Sequence, residues 1–401
     1  MGLQQLSPRT TRPAAGRRQV AAWLTAGAAI LAAASGCAAS ATAGVRPAGP
    51  TVISVTAAEC GGAWHLGAPG WHAFSIHNDA TQAAEVDLIN PGSGAIYAEV
   101  ENMGPATVRP MALNVGSGRY AFRCLLEDVD PLTGPTATVP GRQRGAVGIV
   151  PVTSNDLYKP AIEYHAYVTA GLKALVGQVR GLVADVHAGQ LARARTDWLP
   201  AHLTYERLGA AYDSFGNFDD EIDGRATGLV RGAHSQFFTG FYRLEYGLWH
   251  GQSASALANP AAVLLRDVLA LQKAWPSLQQ DLLDVGLRAH EILENALQFQ
   301  LSGIDDYGSG TTLATTAANI TGTRELLSVL HPLLVSRYAG LASVYTGLNR
   351  LQKLLSAQHK GGRWTPVRKL GTYTRELIDA ATGQVLQELA PVAAITEPRR
   401  S

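Results

Sequence analysis

Apolar and polar positions divide the chain into two textures. Short alternating segments come first: Val52 to Thr56, Trp71 to Ile76, Ala84 to Ile89, Tyr97 to Glu101 and Arg119 to Cys124. Gly, Pro and Asn separate them at roughly ten-residue spacing, the pattern of short strands joined by turns. It predicts a small all-β sandwich over residues 51–140. A Pro- and Gly-rich link from Pro131 to about Thr153 leads out of it. From Asp156 the period becomes helical. Leu172, Leu175, Val176, Val179, Leu182, Val183 and Val186 recur at three- and four-residue steps, as do Leu341, Val344, Leu348, Leu351 and Leu355. Breaks are expected at Gly189, Asn259-Pro260, Gly303 and Gly361-Gly362. The second half therefore predicts an antiparallel helical bundle over residues 154–396. The fold class is multidomain, β then α.

The first residues form a separate signal. Arg9, Arg12, Arg17 and Arg18 precede an apolar run from Val20 to Ala34, which ends in Ala34-Ser35-Gly36-Cys37. A basic start, a short apolar stretch and small residues predict a signal peptide over 1–36. Cys after Ser-Gly resembles a bacterial lipobox, with Cys37 as the lipid-modified first residue, or else a plain secretory leader. Residues 37–50, rich in Ala, Ser, Thr, Gly and Pro, read as a flexible tether. The expected location is the extracytoplasmic face of the cell membrane, anchored and not spanning. With 33 basic and 32 acidic residues the chain has no basic excess, which argues against nucleic acid as a partner.

The candidate chemistry lies in the helical half. Tyr242 and Glu245, three apart in Gly240-Phe241-Tyr242-Arg243-Leu244-Glu245-Tyr246, fall on one helix face. His290 and Glu294, four apart, do the same. Such spacings are common, and a half-buried Tyr beside a solvated Glu is their usual meaning. This run resembles the signature of EfeO/EfeM-type imelysin-like iron-uptake lipoproteins, Gly-x-His-x-x-Glu, with Tyr242 where that signature has His. The resemblance extends to Glu206 in Thr204-Tyr205-Glu206-Arg207, to Asp219 and Asp223, and to His290 and Glu294. It implies a cleft in which Glu206, Asp219, Asp223, Tyr242, Glu245, His290 and Glu294 converge on iron, ferric or ferrous. Carboxylate, phenolate and imidazole suit such an ion. The sequence departs from the family at Tyr242 and at Gly209, where the family has an acid. Either the site is lost or weakened, or it is retuned toward ferric iron.

The same resemblance implies that the β module is cupredoxin-like and precedes an imelysin-like helical domain. Cys124 is not followed by the His and Met of a blue-copper site. The family instead implies Cys60, Glu85, Glu101 and Cys124 as ligands for copper or iron. A Cys60–Cys124 disulfide is the alternative, as expected of two thiols in an oxidising space. His65, His72 and His77 add weaker candidates. The implied function is the membrane-anchored iron-binding component of an EfeUOB-like uptake system, with an iron permease and a haem peroxidase as partners. A different reading is a divergent surface lipoprotein that has lost its metal and binds polysaccharide or serves a structural role. Enzymatic chemistry is not expected: His290-Glu291-Ile292-Leu293-Glu294 lacks the second His of a zinc-protease helix.

Overall fold

The computed structural model describes residues 49–127 and 129–398; the expected signal peptide and lipidation at Cys37 lie outside the described residues, as does most of the tether. Among the described residues, eight strands come first: β1 (Thr51–Val55), β2 (Gly70–Asn78), β3 (Ala84–Ile89), β4 (Ile96–Met103), β5 (Val108–Val115), β6 (Gly118–Leu126), β7 (Leu132–Thr133) and β8 (Ala137–Val139). One sheet runs β1-β2-β5, with β1 parallel to β2; the other runs β4-β3-β6-β7, and β8 also pairs with β6. Alternation explains the sandwich, because every second side chain of each sheet turns inward. Ile53, Phe74 and Ile76 from one sheet share a core with Val86, Leu88 and Phe122 from the other. Trp64 sits between Phe74 and Phe122, with ring centroids 5.9 and 4.8 Å away. Cys60 and Cys124 close a disulfide inside this core.

Ten helices follow: α1 (Ser154–His187), α2 (Leu191–Glu206), α3 (Tyr212–Phe215), α4 (Asn217–Asp223), α5 (Gly240–Trp249), α6 (Ala254–Ala274), α7 (Leu282–Asn295), α8 (Thr312–Leu334), α9 (Leu341–Ser356) and α10 (Thr372–Thr396). Thr153 starts α1 with a capping box, its hydroxyl facing the Asp156 N–H while the Asp156 carboxylate accepts from the Thr153 N–H. The apolar stripes of α1 and α9 are buried along their length. One expected break is absent. α6 runs through Asn259-Pro260, because Ser253 caps its start and Leu257, Ala261 and Leu264 are buried on either side of the proline. That burial offsets the hydrogen bond Pro260 removes, a defect of about 3 kcal/mol. The segment Ala254–Ser277 is long and apolar enough to cross a bilayer by length and composition. It carries the buried Asp267 and packs into the bundle core.

α7 passes into a π-helical turn, Ala296–Gln300. A turn of this kind widens the helix locally and re-aims its side chains. Here it leads into the loop that holds Asp305 and Tyr307.

Candidate metal centre

α2 and α4 build the centre. His202 and Glu206 stand four apart on α2, so both project to one side. Asp223, the last residue of α4, meets them. His202 Nε2 lies 3.0 Å from Asp223 Oδ1 and 3.2 Å from Glu206 Oε1. One donor atom from each of the three falls within 4.8 Å of the others, a spacing that suits a cation. The imidazole is held among aromatic rings: Trp198 and Phe241, both tilted to it, and Tyr242, edge-on, have ring centroids 4.8, 5.2 and 5.2 Å away. Asn319 Nδ2 on α8 donates to Glu206 Oε2 at 2.8 Å, which leaves Oε1 for the centre. Tyr205 Oη donates to Asp219 Oδ1 at 2.6 Å.

Glu206, Asp219 and Asp223 line one cavity of about 180 Å³, together with Arg225, Arg288 and Asn319. Burial sets its electrostatics. It pushes the Asp219 carboxyl up to about 6 despite the Tyr205 hydroxyl, and Asp223 up to about 8 against the opposing charge of His202. Burial alone would lower His202; the neighbouring Asp223 and Glu206 outweigh it and lift the imidazole to about 10. His202 and Asp223 thus hold their protons tightly, and an entering cation must displace them.

Glu206, Asp219 and Asp223 were expected together, and all three line this one cavity. Tyr242 and Glu245 are buried on α5 but are not among the residues lining that cavity. The Tyr242 hydroxyl donates to Asp305 Oδ2 at 3.4 Å, and burial holds the phenol well above its ordinary value, so it is neutral. Asp305 also accepts from Arg225 Nε through both oxygens and from Gln300. Glu245 Oε1 accepts from the Ser309 N–H at 2.9 Å, and burial lifts its carboxyl to about 7. His290 and Glu294 lie elsewhere. They pair with each other at 3.5 Å on a partly exposed face of α7, with 27% and 58% of their side-chain surface exposed. The α7 residues that reach the cavity are Arg288, Ile292 and Asn295, one helical stripe that excludes 290 and 294.

In the β domain the sulfur atoms of Cys60 and Cys124 are bonded to each other, which corrects the reading of both as metal thiolates. The strand alternation adds a reason. Cys124 is in register with Val86 and turns inward, whereas Glu85 belongs to the opposite face of β3. Glu85, Glu99 and Glu101 gather on that outer side with one oxygen each within 4.8 Å of the others. Glu99 was absent from the sequence reading, and so was His202. His-x-x-x-Glu in Ala201 to Glu206 carried the signal for the latter. Nothing in the sequence marked Asn319, which reaches Glu206 from 113 residues away.

Comparison with known proteins agrees with this architecture. The family model Peptidase_M75, described as Imelysin, matches residues 161–401, and the chain belongs to the imelysin family. The iron uptake system component EfeO of Yersinia pestis is 30% identical over 261 residues, covering 65% of this chain and 68% of that protein. EfeO of Escherichia coli (strain K12) is 25% identical over 331 residues, 80% of this chain and 84% of its own. EfeO of Shigella flexneri matches to the same extent.

Proposed function

We propose that this protein is a component of an iron uptake system that binds iron outside the cytoplasm and delivers it to a permease, without covalent chemistry of its own. The observation that carries this is the convergence of His202, Glu206 and Asp223 inside the imelysin region, with Glu206 and Asp223 lining a charged cavity. The similarity to EfeO proteins supports iron as the cargo. In this reading His202 on α2 supplies the imidazole that the signature would have placed at position 242. Asp219 stands beside the centre, and Tyr242 walls it as a neutral phenol. Two carboxylates and an imidazole suit ferrous or ferric iron. Lipid anchoring through Cys37, and partnership with a permease and a haem peroxidase, belong to the same proposal.

Metal analysis and calorimetry on purified protein test it. Wild type should take up iron, His202→Ala should lose at least about tenfold in affinity, and His290→Ala should bind as wild type does. Unchanged binding in His202→Ala would remove this centre from the function.

A further inference from the structure

The cavity is not built for a bare cation. Beside its acids the cavity is lined by two guanidinium groups, those of Arg225 and Arg288, which by themselves repel a metal ion. Arg225 spends its Nε on Asp305 and lays its guanidinium over the Phe299 ring at 3.7 Å, which fixes the group in place. Arg288 is 7% exposed. Its η nitrogens contact Glu291, Asp213 and the carbonyl of Gly209, while its buried Nε has no partner among the described residues. A buried charged donor left unmet is costly, and a ligand oxygen would relieve it. Three donors on one side of a metal leave the remaining positions of an octahedral shell open. At about 30 Å³ per water-sized group, a cavity of about 180 Å³ holds more than an ion.

We propose that the cavity binds its metal together with a small oxoanion, a carboxylate or carbonate. Oxygens of the anion complete the shell begun by His202, Glu206 and Asp223, and its remaining charge is taken by Arg225 and Arg288. Guanidinium suits this role because its planar donors match carboxylate geometry. The proposal rests on the metal centre described above and adds the second half of its ligand. No bond is made or broken; the anion is bound and released with the metal.

The full mature chain, freed of metal, is titrated anaerobically with Fe²⁺ in chloride buffer, then with malonate or bicarbonate added. The anion should tighten wild-type binding about tenfold or more. In Arg225→Gln the ratio of affinities with and without anion should fall toward one, and Arg225→Lys should restore part of it. Cobalt(II) loaded into wild type gives a readout independent of variant folding, since its visible spectrum should shift when malonate is added. Equal affinity with and without anion, with an unchanged cobalt spectrum, overturns the anion half-site and leaves the metal centre standing. Failure to bind Fe²⁺ or Co²⁺ under either condition overturns both. A response to malonate but not to bicarbonate assigns the half-site to organic carboxylates.

Discussion

Glu245 offers a prediction that separates a buried acid from a ligand. Its side chain is 1% exposed, with one hydrogen bond from Ser309 to Oε1 and no partner for Oε2 among the described residues. Burial raises its carboxyl from 4.5 to about 7, against the pull of the Ser309 contact. The sign follows from linkage. The folded state holds this proton more tightly than the unfolded chain, so its contribution is intact below about pH 4.5 and is lost as pH rises toward about 7. At 1.36 kcal/mol per pKa unit the loss is about 3 kcal/mol, levelling off above that range. Glu245→Gln keeps an oxygen for the Ser309 N–H and removes the ionisation. The variant should match wild type in mild acid and exceed it by up to about 3 kcal/mol in mild base. Urea unfolding of the metal-free protein, followed by circular dichroism across this range, gives the difference directly. A variant no more stable than wild type in mild base, or one with an undiminished pH slope, would refute the reasoning. The same variant should keep its iron affinity, because Glu245 is not one of the three groups that meet at the centre.

Three further outcomes are expected. Since His202 and Asp223 hold protons up to about 10 and about 8, iron uptake should release protons, visible as buffer-dependent enthalpy in calorimetry, and affinity should weaken as pH falls. Cys60→Ser/Cys124→Ser opens a loop with a sequence separation of 64 residues; it should lower stability by about 4 kcal/mol, measured as a shift in denaturant midpoint. Gly240 has φ +79, and a Cβ there would sit 2.1 Å from the Ile222 carbonyl oxygen. Gly240→Ala should therefore lower the melting temperature, by more than about 1 kcal/mol of stability, and weaken metal binding, because this close approach seats α5 against α4 and Asp223.

The periodicity of the chain made the fold readable. Stripes such as Leu172 to Val186 have no other stable use than burial, and alternation at Trp71 to Ile76 has none but a sheet with one inner face. Pro260 was misleading because a single lost backbone bond is a local cost, while the burial around it is set by the whole bundle. Glu206, Asp219 and Asp223 were expected together through the family resemblance, not through spacing. His202, four residues before Glu206 on α2, does follow helical spacing and was nevertheless missed. Tyr242, Glu245, His290 and Glu294 share their own helices' faces with one another. Which neighbour each face meets, however, depends on packing between distant segments. Asp305 and Asn319 enter for that reason alone.

The outer face of β3 and β4 has a consequence for how the β domain could ever change its chemistry. Sulfur and carboxylate in this module are near neighbours in strand register, Cys124 opposite Val86 and Glu85 one step along, but they are divided by the thickness of a pleat. Joining them into one coordination sphere would require a one-residue slip of strand register. Such a slip exchanges every inward side chain of that strand for an outward one. The apolar interior therefore polices the surface, and redox chemistry at the sulfurs stays insulated from any ion that settles among the acids.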